Sequence, residues 1–220
     1  GVGGAAVRMD SVCIVLGFAY GNRDNIRGVL VNGKGQRYIN EDVYQSNHGE
    51  IALERQAGEV YLIVDDSIYC EPPTEASMAG AAYPLLAVAE TPEELEAELG
   101  LFSGTLTHTL SVYNENAAKG EDPYFHKESC WLRPLDKPPF AALDLRVGSS
   151  PYSVFTLGGL RTNVGGEVLN AEGDVVPGLY AAGRTASGIP AKGYNSGLSI
   201  GDCTFTGRLA GVSVAQAPSD

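Results

Sequence analysis

Residues 178–211, GLYAAGRTASGIPAKGYNSGLSIGDCTFTGRLAG, hold the densest set of positions able to do chemistry. Gly178 to Ala182 reads as a buried strand ending at Gly183, and Gly188, Gly193 and Gly197 would let backbone approach a ligand closely. A helix is predicted to begin at the Asn195-Ser196-Gly197 turn and to run from about Ser196 to Val212. The first N–H groups of such a helix lack internal partners, and its dipole favours negative charge developing at that end. The pattern suits an anion site, although the same strand-loop-helix also occurs for packing alone. Ser196 has the residue type of an N-cap for this helix.

Other candidates carry less chemistry. Gly1-Val2-Gly3-Gly4-Ala5-Ala6 matches G-x-G-x-x-A, but nothing precedes it that could be a strand and no βαβ unit follows. It reads as a helix remnant or a tight turn. His48, His108 and His126 are isolated and read as surface residues, while Asp65-Asp66 and Glu93-Glu94-Glu96 read as solvated strand-end and helix-face charge. Cys13, Cys70, Cys130 and Cys203 form no C-x-x-C pair and have no histidine cluster, so neither a disulfide framework nor a metal site is expected. Reduced thiols of an intracellular, cytoplasmic protein are the simpler reading.

The elements that must position these residues have local signatures. Val12 to Leu16 is an apolar run of ambiguous type. Gly28 to Ile39 reads as a hairpin turning at Asn32-Gly33. Glu50 to Gln56 has helical character, and Val60 to Asp65 is a β-branched and aromatic run that predicts a buried strand. Thr91-Pro92-Glu93-Glu94 is a capping box with proline at the first helical position. A second helix is predicted from near Ser103, because Leu106, Leu110, Tyr113 and Ala117 follow at helical spacing. Four prolines between residues 134 and 151 argue for extended chain, with Phe140 to Leu145 an edge strand. Short strands separated by glycines then fill 156–183.

The chain has 220 residues, with 15 Lys plus Arg against 27 Asp plus Glu and a net charge of -12. That balance argues against a nucleic-acid partner, which requires a basic face. No apolar run approaches the roughly 18 residues of a membrane span, and the N-terminus has no basic-then-apolar leader pattern.

Taken in series, the motifs resemble the C-terminal portion of the FAD-dependent fumarate reductase and 3-oxosteroid dehydrogenase superfamily. Residues 178–211 resemble its C-terminal flavin-binding segment, 28–44 (GVLVNGKGQRYINEDVY) the start of its cap domain, 91–125 its helical pair, and FTLGGLRTN at 155–163 the return to the FAD domain. The resemblance implies an α/β fold: an α+β substrate-binding cap at 12–150, and the C-terminal part of a split Rossmann-like FAD domain at 151–220. Residues 1–11 would be a remnant of that FAD domain, and its N-terminal dinucleotide-binding half would be missing. The exposed edge this leaves predicts association or homo-oligomerisation.

Phe155-Thr156-Leu157-Gly158-Gly159 stands where fumarate-reducing members carry the histidine of an H-T-x-G-G motif, which weakens a dicarboxylate substrate. Gly193-Tyr194-Asn195-Ser196-Gly197 is similar to the G-Y-x-S-G of oxosteroid 4-dehydrogenases. The resemblance carries over Tyr194, Ser196 and Gly197 as catalytic residues, with Tyr44 from the cap. It carries over Gly183, Arg184, Ser196, Gly197, Leu198 and Ser199 as the FAD contacts. The implied substrate is a small hydrophobic ketone, with a separate electron acceptor. The alternatives are a fumarate-reductase-like reductase of an unsaturated acid, and a truncated cap module without catalytic activity.

Overall fold

The computed structural model describes residues 1–19, 22–69, 83–190 and 193–217. The chain divides into two units, Gly1–Ile14 with Val154–Asp220, and Val15–Ser153. In chain order the elements are β1 (Ala6–Val7), β2 (Val12–Leu16), β3 (Val29–Asn32), α1 (Gln45–Gln56), β4 (Val60–Asp65), β5 (Leu85–Ala89), α2 (Pro92–Glu98), α3 (Thr105–Ala117) and β6 (Phe140–Asp144). They continue with β7 (Tyr152–Thr156), β8 (Gly159–Leu160), β9 (Glu167–Leu169), β10 (Val175–Tyr180) and α4 (Leu198–Gln216). The result is the mixed α/β class expected. Among the described residues no helix is long and apolar enough to cross a membrane.

The larger unit is built on an antiparallel sheet in the order β3-β4-β6-β5. Its centre is β4, where Val60 to Asp65 are all buried, as a continuous apolar run requires of a strand covered on both faces. Gly28 enters this sheet so closely that a Cβ there would lie 2.7 Å from the carbonyl oxygen of Ile63. Strand β6 lies between β4 and β5, so the edge-strand expectation for 140–145 is wrong. All four prolines lie outside Phe140–Asp144 and remove no donor from its ladder.

The 28–39 hairpin is also only partly right. Asn32 turns the chain, its Oδ1 accepting from the N–H groups of Lys34 and Gln36, but the return arm makes a single bridge between Arg37 and Val31. The partner of β3 is β4.

Both middle helices follow their sequence signals. Thr91 Oγ1 accepts from Glu94 N–H at 3.2 Å, and Glu94 reaches back to the N–H of Glu90 at 3.1 Å. Helix α3 buries Leu106, Leu110, Tyr113 and Ala117. Two carboxylates read as solvated are buried instead. Glu96 caps α3 by accepting from the N–H groups of Gly104, Leu106 (2.7 Å) and Thr107 (3.2 Å). Asp65 accepts from Ser67, Asp136 and Lys137.

The smaller unit has less core: Val168, Ala181 and Ala186, with Leu160, Val176 and Leu179 packed against them. Strand β1 pairs with β8, and β9 with β10. Residues 1–6 are therefore no helix remnant: Ala6 is in a strand, and the preceding five residues are irregular. Nor is the run before Gly183 a buried strand, since β10 spans Val175–Tyr180 and is half exposed. Helix α4 fully buries only Asp202 and Ala210.

Candidate active site

In the smaller unit the chain after β10 makes a 3₁₀ turn at Gly183–Thr185, is irregular at 186–190 and 193–197, and enters α4. Between these stretches Ala191 and Lys192 lie outside the described residues, as does Cys70 elsewhere. Gly183 has φ +55, which strains any other residue, and a Cβ there would stand 2.6 Å from Cys203 Sγ, so that a larger residue would have to move the Cys203 side chain. Its N–H donates to Thr206 Oγ1 at 2.9 Å, which ties the strand end to the helix.

Arg184 and Tyr194 meet through Phe155. The guanidinium lies 4.2 Å from the Phe155 ring centroid, and the Tyr194 ring approaches Phe155 edge-on at 4.9 Å. Arg184 also donates from Nη2 to the Thr156 carbonyl and from Nη1 to Ser199 Oγ at 3.4 Å. Thus Tyr194, Arg184 and Ser199, three of the expected site residues, are joined around a phenylalanine that sequence reading treated only as a missing histidine.

The expected N-cap role of Ser196 is not realised. Gly197 occupies the N-cap position at φ +93, and no side chain caps the helix. Leu198 N–H donates to the Asn195 carbonyl at 3.2 Å. Ser196 and Gly197 are exposed, with Leu198 and Ser199 half-buried behind them. An uncapped first turn preceded by two exposed small residues can accept an oxygen carrying negative charge.

Two residues that shape this region, Arg8 and Asp202, were missed. Arg8 donates from Nε to Ser187 Oγ and from Nη2 to the Gly188 carbonyl, both at 2.6 Å. Asp202 abuts Gly188 from the other side, where a Cβ would lie 2.1 Å from its Oδ2, and its Oδ1 is buried with no hydrogen-bond partner among the described residues. With Arg184 and Ser199 it lines a cavity of about 10 Å³, room for one water. No local pattern could have announced the Arg8 clamp, because its partners lie 179 and 180 positions along the chain.

In the larger unit Tyr44 occupies the N-cap position of α1 without a side-chain capping bond, and its carbonyl accepts from Asn47 N–H at 2.8 Å. The preceding Asn40-Glu41-Asp42 is fixed residue by residue. Asn40 donates to the His126 carbonyl at 3.2 Å, and Asp42 accepts from Glu128 N–H at 2.6 Å. Glu41 is buried and takes Leu30 N–H (2.9 Å), Arg37 Nε (2.9 Å) and Nη2 (2.6 Å), and Lys127 Nζ (3.0 Å). Burial alone would push its carboxyl up, but Lys127 and Arg37 hold it below the usual range.

His48, expected at the surface, is 2% exposed, because its ring packs edge-on against Phe18 and its Nε2 bonds the Asn40 carbonyl at 3.1 Å. Burial lowers its pKa to about 4, so the ring is neutral near pH 7. His108 and His126 are exposed as expected. Among the described residues no group of His, Cys, Asp and Glu could hold a metal, and no described cysteine is in a disulfide.

The family described as "FAD binding domain" matches residues 14–201. A structure of 3-ketosteroid-delta4-(5alpha)-dehydrogenase from Rhodococcus jostii, in complex with 4-androstene-3,17-dione, is 44% identical with a TM-score of 0.85, covering 98% of this chain and 44% of that one. The fumarate reductase (cytochrome) of Shewanella frigidimarina is 31% identical over 86% of this chain and 32% of its own length. The NADH:acrylate oxidoreductase of Vibrio harveyi is 31% identical over 86% of this chain and 18% of its own. The chain thus spans less than half the length of each of these relatives.

Proposed function

The chain belongs to the FAD binding domain family, and from that premise we propose that it serves an FAD-dependent oxidoreductase that dehydrogenates a hydrophobic cyclic ketone such as a 3-oxosteroid. The observation that carries this reading is the likeness to the Rhodococcus jostii dehydrogenase over 98% of the chain. The uncapped start of α4 after Tyr194-Asn195-Ser196-Gly197 supports it.

The residues present fit a flavin. Gly183, Arg184, Ser196, Gly197, Leu198 and Ser199 would hold it, and the uncapped first N–H groups of α4 would favour the negative charge that a reduced flavin gathers. When bound, FAD supplies the hydride acceptor. Dehydrogenation beside a ketone also requires loss of a proton from the neighbouring carbon. Tyr194 O–H and Gly197 N–H donate to the ketone oxygen and stabilise the charge that develops there. Ser196 takes the proton and passes it towards solvent. Because an ordinary tyrosine has a pKa near 10, enolate stabilisation must share the work with the relay.

Tyr194→Phe keeps the packing on Phe155 and removes one donor, so kcat on a 3-ketosteroid is expected to fall roughly 10²–10³-fold. An unchanged rate with an artificial acceptor would remove this role.

A second reading, reduction of an unsaturated acid, is favoured by Arg184: a cation stands on Phe155 although position 155 itself is uncharged. Turnover of fumarate-type acids without turnover of any 3-ketosteroid would select it. A preparation without flavin absorbance that stays colourless when FAD is added would favour a non-catalytic cap module.

A further inference from the structure

Away from every residue assigned to flavin or ketone, the larger unit carries a cavity of about 590 Å³ over one face of α3. That is within the span of about 300–1,000 Å³ typical of small-molecule sites. Tyr113, Tyr124 and Phe125 give it aromatic walls, and Val112, Arg37 and Asp122 also line it.

Arg37 is held with little freedom. Its guanidinium lies 4.6 Å from the Phe125 centroid and 5.2 Å from that of Tyr113. Glu41 takes Nε and Nη2, and Asp122 takes Nη2 at 2.8 Å. Its side chain is 7% exposed, that of Asp122 4%, and those of Glu41 and Lys127 0%. Burying four charges is expensive, and the apolar sheet beside them does not call for it. What the arrangement achieves is a guanidinium fixed in place before any ligand arrives.

The hydrogen-bond inventory sets the sign of the ligand. Glu41 is saturated, and Asp122 already accepts from Lys127 N–H at 3.0 Å and Phe125 N–H at 3.3 Å. A guanidinium has five donors, and these bonds use only those on Nε and Nη2. The pair of N–H groups on Nη1 takes part in none of these bonds, and Arg37 lines the cavity. These N–H groups call for an acceptor oxygen, and a charged one binds most strongly. The ring walls call for a flat apolar body.

We propose that this cavity binds a small monocarboxylate carried on a flat six-membered ring, its carboxylate on Arg37 Nη1 and its ring against Phe125 and Tyr124. The site lies wholly within the larger unit and stands or falls independently of the redox reaction.

Benzoate and its neutral isostere benzamide, titrated into the chain and followed by amide chemical shifts, test it. Benzoate should saturate in the millimolar range with shifts concentrated in 108–125, and benzamide should bind at least about fivefold more weakly. Tyr124→Ala, at a position 68% exposed and so harmless to the fold, should weaken benzoate, and Val112→Trp should abolish binding by filling the space. Equal affinity for the two probes, shifts elsewhere, no saturation, or benzoate binding indifferent to Tyr124→Ala would overturn the proposal.

Discussion

The two units solve the same problem differently. The larger packs an apolar four-stranded sheet with α1, α2 and α3 in one core and can bury Glu41, Lys127, Asp122, Asp65, Glu96 and His48 because each finds a defined partner. The smaller has a core of a few alanines and valines, and places its loop with single contacts: Arg8 on Gly188, Thr206 on Gly183, Arg184 on Phe155. Much of α4 stays exposed, including Ile200 at 75% and Phe205 at 60%. Polar positioning in the first region rests on bulk packing. In the second it rests on close backbone approach and a few side-chain bonds, which leaves little room for a side chain at Gly159 and Gly188.

The contrast can be broken most forcefully at Glu41. Glu41→Gln leaves two buried cations short of their shared counter-charge, and should cost about 3–5 kcal/mol by urea unfolding followed at Trp131. A loss under about 1 kcal/mol, the worth of a surface pair, would mean that the network is hydrated.

His48 gives the next effect, through pH. The folded ring takes up a proton only near pH 4, whereas an unfolded histidine does so near 6.5. Between these values the unfolded chain binds more protons, so stability should fall as pH drops from 6.5 to 4, by about 3 kcal/mol in all. His48→Gln should flatten that part of the curve. An identical slope in the variant would assign it to other groups.

In the smaller unit, Gly188→Ala forces a methyl against Asp202, and should cost about 1–3 kcal/mol. Faster amide exchange confined to 183–190 and 197–206 would mark it as local. The smallest effect is expected at Thr91→Ala, about 1 kcal/mol for a lost N-cap, read as a lower urea midpoint. Where the capping box already holds α2 by Glu94 alone, no change would appear.

These regions also differ in how far sequence could read them. Strand β4, the α2 capping box and the α3 stripe rest on neighbours within one or two turns, and each was legible. Strand order was not: the prolines flanking β6 suggested an edge, while its central place is decided by pairing with β4 and β5 far along the chain. His48, Glu96 and Asp65 looked solvated because charge and polarity are local properties, whereas the backbone groups that satisfy them come from other elements. Around the candidate site, the family resemblance pointed to Tyr194, Arg184 and Ser199, which do cluster. Of the residues that set their posture, Phe155 stood in a quoted motif but without this role, and Arg8 and Asp202 carry no sequence signal, because their partners are brought near only by the fold.

The charges of Arg37, Lys127, Glu41 and Asp122 sum to zero and are shielded from solvent. Dissolved ions weaken attraction between exposed groups over a Debye length of about 8–10 Å at physiological ionic strength, but the Glu41–Lys127 pair at the heart of the cluster has no exposed side-chain surface. Adding salt should therefore loosen the exposed Lys119–Glu115 pair while leaving this cluster untouched, so that the larger unit keeps its shape in brine as in dilute buffer.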